Sequence, residues 1–86
     1  MRYQVAFFRQ AAKEIKRLDR TTAKRVQVRI EELANQPFSP RISKQMETDP
    51  ESRYSRVGDW RIIYRVNEDL GILDIVAIRP RSSAYR

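Results

Sequence analysis

The spacing of apolar residues changes twice along this chain, and the two changes define the order of its secondary structure. At the start, Tyr3, Val5 and Phe7 alternate with Arg2, Gln4 and Ala6, which is typical of a half-buried strand. From residue 8 the apolar positions recur every three or four residues, which indicates amphipathic helices. From residue 53 the alternation returns. The sequence therefore predicts a strand, then helices, then further strands.

Two helices are predicted between residues 8 and 35. The apolar residues of the first share one face: Phe8, Ala11, Ala12, Ile15 and Leu18. The second begins near Thr21 or Thr22, whose hydroxyl groups can accept the unbonded amide protons of a first turn. Its apolar stripe ends before Asn35 and Pro37 and contains Ala23, Val26, Ile30 and Leu33. We expect the two helices to form a hairpin.

Residues 35–52 form the longest connection in the chain. They hold three of the four prolines and few apolar residues, so we expect mixed irregular structure. A connection of this length in a small domain is more often functional or mobile than inert. Lys44 lies on it, where it can reach a ligand or simply be solvated.

Three strands are predicted after this connection, at residues 53–57, 60–66 and 72–78. Gly58 supplies the positive φ that the first central position of a type II′ turn requires, so Gly58-Asp59 predicts a two-residue hairpin. In that hairpin Val57 lies opposite Trp60, and Arg56 lies opposite Arg61.

Alternation assigns the faces of these strands. In the middle strand Trp60, Ile62, Tyr64 and Val66 face the core, and Arg61, Ile63 and Arg65 face away. The last strand sets Leu73, Ile75 and Ala77 against Ile72, Val76 and Ile78, and it is apolar on both faces apart from Asp74, so it lies inside the sheet. The fold class is α+β with two layers: a strand-helix-helix-strand-strand-strand order, with a helical hairpin packed on a mainly antiparallel sheet. At 86 residues, the chain 1–86 is one domain.

Composition excludes several kinds of chemistry. The chain has no cysteine and no histidine, so a thiolate site, the usual zinc ligands and a Ser/His/Asp triad are excluded. Any catalysis must use arginine, lysine, tyrosine or carboxylates, and we expect neither a metal nor a cofactor. No apolar run is long enough to span a membrane, and the start of the sequence lacks the apolar segment of a signal peptide. The expected location is the cytoplasm.

The charge indicates a polyanionic partner. Lysine and arginine total 18 against 11 acidic residues, which gives a net charge of +7 and a pI near 10.4. All cations after Lys44 are arginines, whose planar forks fit phosphates and base edges: Arg53, Arg56, Arg61, Arg65, Arg79, Arg81 and Arg86.

Two of these arginines are expected to face each other, and one tyrosine lies among cations. Arg56 and Arg61 repel each other across the hairpin unless an anion bridges them, or unless one pairs with Asp59 or an acidic residue of the long connection. Tyr85 lies among cations near the end of the sequence. It can stack on a base, as in proteins that bind single-stranded RNA, or fold back on the core.

Residues 54–66, which read Tyr-Ser-Arg-Val-Gly-Asp-Trp-Arg-Ile-Ile-Tyr-Arg-Val, together with residues 75–81 and Tyr85, carry a family resemblance. With the Ala11-Ala12-Lys13 helix start, this pattern resembles the RelE-type toxins of the RelE/ParE toxin–antitoxin superfamily. The resemblance implies a small basic endoribonuclease that works without a metal. Such toxins enter the A site of the 70S ribosome, cut the mRNA there and are neutralised by a cognate antitoxin.

The resemblance also implies roles for single residues. Arg61 would hold the scissile phosphate, while Arg79 would stabilise the developing negative charge and protonate the leaving 5′-oxygen. Tyr85 would stack on or orient the nucleotide at the cut, and Arg56 would act on the 2′-hydroxyl. Tyr54 stands where the family has a second basic residue, so the general base is left open. The expected RNA contacts around these residues are Lys44, Arg53, Tyr54, Arg65 and Arg81.

Two other functions fit the same residues. The ParE branch of the superfamily has this fold and inhibits DNA gyrase, without catalysis. A toxin homologue that has lost its activity would remain a basic RNA-binding domain, with an affinity that falls steeply with salt.

Overall fold

The first and last strands of the structure lie side by side. The computed structural model describes residues 2–80, with strand β1 (Gln4–Phe7), helices α1 (Arg9–Arg17) and α2 (Arg20–Asn35), and strands β2 (Lys44–Gln45), β3 (Arg53–Val57), β4 (Trp60–Asn67) and β5 (Ile72–Pro80). The strands form one sheet in the order β1-β5-β4-β3-β2. Only the β1–β5 pair is parallel among them. The predicted α+β order is therefore confirmed, with β5 inside the sheet and with β2 as an additional strand.

Both helices begin one or more residues away from the predicted positions. Asp19, rather than Thr21 or Thr22, caps α2, because its carboxylate accepts a hydrogen bond from the backbone amide of Thr22 at 3.1 Å. Phe8 was expected on the apolar face of the first helix. It instead precedes α1 in an extended conformation and is 42% exposed, since the chain is still leaving β1 at that point.

The predicted hairpin is confirmed in both turn type and register. Gly58 has a φ of +58°, and no non-glycine residue among residues 2–80 has a positive φ, so Asp59 meets the requirement of a type II′ turn. Val57 pairs with Trp60, and Arg56 pairs with Arg61. The turn therefore fixes which side chains share each face of β3 and β4.

A β-bulge changes the faces of β5. Ile63 pairs with Ala77 but Tyr64 pairs with Ile75, so Val76 is an extra residue without a partner in β4. The simple alternation predicted for this strand is therefore wrong beyond Val76. Ile78 faces the helices together with Leu73 and Ile75, while Ala77 lies on the other face opposite Ile63.

The core fills the space between the helical hairpin and one face of the sheet. Its fully buried side chains include Val26 and Leu33 from α2 and Ile62 and Tyr64 from β4. The Tyr64 hydroxyl donates to the carbonyl oxygen of Pro37 at 2.7 Å, which attaches the long connection to the core. None of the helices in residues 2–80 is long and apolar enough to cross a membrane.

Candidate functional site

Three arginines lie side by side across the face of the sheet that the helices leave uncovered. Arg56 of β3 pairs with Arg61 of β4, and Arg61 pairs in turn with Arg79 of β5. Residues directly opposite each other share a face, and neighbouring strands lie about 4.8 Å apart, so the three Cα atoms span roughly 10 Å. We call Arg56, Arg61 and Arg79 the arginine row.

Contacts with neighbouring side chains hold two members of the arginine row. The Arg61 guanidinium lies over the ring of Tyr54, with its central carbon 4.7 Å from the ring centroid. The Nε of Arg79 forms an ion pair with Oε2 of Glu14 at 3.1 Å. Arg56 is exposed, and no carboxylate among residues 2–80 pairs with it. Neither Asp59 nor the long connection therefore neutralises Arg56, which leaves its charge available to an external anion.

A cavity of about 320 Å³ lies beside the arginine row. Its lining combines apolar side chains with polar and charged ones; the lining residues are Gln10, Met46, Tyr54, Arg61, Ile63, Val76, Ala77 and Arg79. The bulge at Val76 contributes to this lining, because it brings both Val76 and Ala77 to the cavity. Apolar side chains next to guanidinium groups can hold an aromatic ring beside a phosphate.

Two further expected RNA contacts, Lys44 and Tyr54, lie on the same face as the arginine row. They are paired across β2 and β3, and Lys44 is exposed. Arg65 also belongs to this face, but its side chain is committed to the long connection. It forms an ion pair with Asp49 at 3.1 Å and donates to Ser52 Oγ at 3.2 Å. Hydrogen bonds from Ser52 and Arg65 lower the pKa of Asp49.

Arg53 points to the opposite face of the sheet. It pairs with the buried Tyr64, its Nε donates to Ser43 Oγ at 2.7 Å, and its guanidinium lies 5.2 Å from the centroid of the Phe38 ring. These contacts order the long connection. Arg81 and Tyr85 lie outside the described residues, so their roles remain predictions, as do the RNA contacts of Arg53 and Arg65.

A second cationic surface runs along α2. A groove of about 580 Å³ separates α2 from the β3–β4 hairpin, and its cations are Arg20, Lys24, Arg25, Arg29 and Arg56. The Arg25 guanidinium covers Gly58, at 3.5 Å from the position that a Cβ would occupy. Since Arg56 also belongs to the arginine row, basic surface continues from the sheet face to α2.

Sequence reasoning also missed Glu14 and Gln10. Both lie on α1 and both contact Arg79, Glu14 through the ion pair and Gln10 through a 3.5 Å contact between its Oε1 and an Nη of the guanidinium. More than 60 residues separate them from Arg79 in the sequence. No local pattern signals such a contact.

The chemistry available at this face is limited by its residue types. Guanidinium groups keep their protons at any physiological pH, so the arginine row can bind and stabilise anions but cannot act as a general base. The row offers up to three forks to phosphate oxygens, and bidentate contacts of this kind fix both position and orientation. The arrangement therefore suits binding of a phosphodiester and stabilisation of additional negative charge on it.

Comparison with known proteins gives consistent similarities over the whole chain. The family model described as ParE toxin of type II toxin–antitoxin system, parDE, matches residues 5–85. The protein named Toxin RelE from Mycobacterium tuberculosis is 33% identical, and the similarity covers 98% of this chain and 87% of that protein.

Solved structures agree with these sequence similarities. An archaeal RelE–RelB complex from Pyrococcus horikoshii matches with a TM-score of 0.77 and 25% identity, over 94% of this chain and 97% of that one. The isolated RelE toxin from E. coli has a TM-score of 0.80 over 96% of this chain and 90% of that one, and at 18% identity it supports the fold alone.

Proposed function

This chain belongs to the ParE toxin family of type II toxin–antitoxin systems and is a RelE-type toxin, and we propose that it is a ribosome-dependent endoribonuclease that cuts mRNA in the A site. The observation that carries the proposal is the arginine row, because it aligns Arg56, Arg61 and Arg79 on one open face of the sheet. RNA is a polyanion whose phosphates such forks bind.

In the proposed reaction the RNA supplies its own nucleophile. The 2′-oxygen attacks the adjacent phosphorus and the bond to the 5′-oxygen breaks, which leaves a 2′,3′-cyclic phosphate and a 5′-hydroxyl end. Arg61 holds the scissile phosphate, and Arg56 lies toward the 2′-hydroxyl. Arg79 stabilises the additional negative charge and donates a hydrogen bond to the leaving 5′-oxygen. The proton that the 2′-hydroxyl releases passes to water or to a group of the ribosome, and the 5′-oxygen takes up a proton from the same source. Tyr85 stacks on or orients the nucleotide.

The arginine row contains no general base for the 2′-hydroxyl, and this favours dependence on the ribosome. No histidine exists in the chain, and a guanidinium group, which is already protonated, cannot take the proton of the 2′-hydroxyl. A full rate therefore requires that the ribosome or Tyr85 assist the reaction. We expect slow cleavage of free RNA.

Mapping of mRNA cleavage in a reconstituted translation system tests the proposal. Wild-type protein, Arg61→Ala and the control Arg2→Ala are compared with and without ribosomes. Arg2 is an exposed arginine that forms an ion pair with Glu31 and is not a member of the arginine row. Both substitutions remove one positive charge, so they change the net charge by the same amount. We expect efficient cuts within A-site codons when ribosomes are present and only slow cleavage without them, with the A-site cuts lost in Arg61→Ala and retained in Arg2→Ala. Intact mRNA during active translation with the wild-type protein would refute the proposal.

We further propose a cognate antitoxin as the partner. The support is that similar solved proteins are described as complexes of RelE with RelB. The net charge of +7 favours a short acidic chain, which would order as it binds. Co-expression with the acidic product of a neighbouring gene should yield a stable complex and restore growth. If no neighbouring product binds or silences the protein, this partner is wrong.

A gyrase-directed activity is the second candidate, because the matching family model is that of the ParE toxins. It requires no catalysis by the arginine row. Expression of the protein would then cause DNA damage and trap cleaved DNA on gyrase, while mRNA stays intact. The same cultures should be examined for both outcomes.

A further inference from the structure

The outer edge of β5 has a strand neighbour along only half of its length. β1 pairs with β5 from Gln4–Ile72 to Phe7–Ile75, and the chain then turns into α1. Among residues 2–80, no strand pairs with residues 76–80 of β5 on that side. Backbone groups on an open strand edge need other partners, either water or side chains.

Two side chains of α1 provide those partners. The Nε2 of Gln10 donates to the carbonyl oxygen of Val76 at 2.9 Å, and the backbone amide of Ile78 donates to Oε1 of Glu14 at 2.9 Å. Gln10 and Glu14 are four residues apart, so they project from the same face of the helix. α1 thus takes the position of a neighbouring strand beside the bulge.

The same two side chains also contact the arginine that follows Ile78. The second carboxylate oxygen of Glu14 lies 3.1 Å from Arg79 Nε, and Gln10 Oε1 lies 3.5 Å from Arg79 Nη2. The Glu14 side chain is 23% exposed whereas that of Arg79 is 44% exposed, so the carboxylate is the more buried member of the pair. The Ile78 amide holds one oxygen of the Glu14 carboxylate, and the Arg79 guanidinium holds the other.

This arrangement has an electrostatic consequence for the arginine row. Arg79 lies directly opposite Arg61, and like charges at that distance repel. The Glu14 carboxylate offsets the repulsion and holds the Nε edge of the Arg79 guanidinium against α1. Arg79 is thereby kept among the residues that line the cavity beside the row.

We propose that Glu14 is a positioning residue, which fixes the Arg79 guanidinium in the orientation that it needs to stabilise charge on an RNA phosphate. Gln10 assists by holding the adjacent backbone and the second edge of the guanidinium. The inference rests on the proposed endoribonuclease function and assigns Glu14 no contact with RNA. It acts through Arg79 alone.

The test compares Glu14→Gln with Glu31→Gln in the ribosome-dependent cleavage assay. Glutamine at position 14 keeps an oxygen that can accept the Ile78 amide, but its other terminal group is an NH₂ donor that faces the Arg79 Nε–H. The Glu31→Gln variant breaks the ion pair with Arg2, where the two side chains meet at 2.6 Å, and it is the matched control. Both variants raise the formal net charge by one, so a general change in RNA attraction affects them equally.

We expect Glu14→Gln to lower kcat by roughly 10-fold with little change in KM, because orientation of Arg79 matters most in the transition state. Glu31→Gln should retain wild-type kcat and KM. In the Arg79→Ala background, Glu14→Gln should cause no further loss of kcat, since the residue through which it acts is gone. Urea unfolding of each variant verifies that it is folded under the assay conditions.

The outcomes separate the inference from the function on which it rests. An unchanged kcat in Glu14→Gln, or an equal further loss in the Arg79→Ala background, would overturn the positioning role while leaving the nuclease function in place. Full activity of Arg79→Ala would do the same. Absence of any cleavage by the wild-type protein would instead refute the proposed function, and the inference with it.

Discussion

The side chain of Arg29 in α2 donates to the backbone carbonyl oxygen of Arg56 in β3, with an Nη1–O distance of 2.8 Å. The same Nη1 lies 2.8 Å from Ser55 Oγ, which is almost completely buried. β2 pairs with Arg53 and Tyr54, and among residues 2–80 no strand pairs with the rest of β3 on the side of β2. Arg29 therefore attaches to α2 the part of β3 that contains Arg56 of the arginine row.

Replacement of Arg29 by alanine should destabilise the protein. It removes a charged donor from Ser55 Oγ, from the carbonyl oxygen of Arg56 and from the Glu32 carboxylate, which we expect to lower the free energy of unfolding by about 1.5–3 kcal/mol. Urea denaturation followed by circular dichroism measures this change. Arg41→Ala is the control, because the Arg41 side chain is 72% exposed and its ion pair with Glu32 lies at the surface. Equal effects of the two substitutions would contradict the prediction.

The ring of Tyr54, rather than its hydroxyl group, is expected to support cleavage. The Arg61 guanidinium rests on that ring, and a contact of this kind contributes about 0.5–2 kcal/mol. In the ribosome assay Tyr54→Phe should cleave mRNA at close to the wild-type rate, and Tyr54→Ala should be slower by roughly 3- to 30-fold. If Tyr54→Phe is as slow as Tyr54→Ala, then the hydroxyl group takes part in proton transfer and is a candidate for the missing base.

Tyr64 should make the protein sensitive to alkaline pH. Burial raises the pKa of Tyr64 above its ordinary value of 10.0. Because the folded value is the higher one, the stabilisation is complete below pH 10 and is lost as the pH rises through the raised folded pKa. Stability measured between pH 8 and about pH 11 should therefore fall more steeply in the wild type than in Tyr64→Phe.

The same substitution should also lower stability at neutral pH. Tyr64→Phe leaves the Pro37 carbonyl and the Ser43 hydroxyl without their phenolic partner, at a cost of about 1–3 kcal/mol. Urea unfolding at pH 7 provides that measurement. A Tyr64→Phe variant as stable as the wild type at pH 7 would show that these hydrogen bonds contribute nothing net.

Acid should weaken the start of α2. Hydrogen bonds from the side chain and backbone of Thr22 lower the pKa of Asp19 below 3.8. Because the folded value is the lower one, the stabilisation is present above about pH 4 and is lost as the pH falls through the folded pKa. Asp19→Asn keeps an oxygen that can cap the helix but does not titrate. Its stability should vary less than that of the wild type between pH 5 and about pH 2, and equal slopes would refute this role of Asp19.

The hairpin could be predicted from the sequence because a local signal specifies it. Gly58-Asp59 determines the turn type, the turn determines the register, and the register brings Arg56 opposite Arg61. Each step involves residues only a few positions apart. Two of the three members of the arginine row were therefore predictable as neighbours.

The position of Arg79 and its partners could not be derived in the same way. β5 is apolar on both faces, so alternation cannot reveal that Val76 is bulged or that Ile78 returns to the core. The cap of α2 was misassigned for a related reason, since Asp19, Thr21 and Thr22 are all good capping residues within four positions. Contacts such as Glu14 with Arg79 depend on packing of distant elements, which local propensity does not encode.

The parallel pairing of β1 with β5 has a consequence for folding during synthesis. β1 is made early, yet its sheet neighbour emerges from the ribosome after every other described element, about 68 residues later. Until then β1 has no strand to pair with, and the sheet cannot close around its core. Arg79 belongs to that late strand. On the proposed function, we therefore expect the nascent chain to be inactive as a nuclease until β5 is free, because the arginine row forms only then.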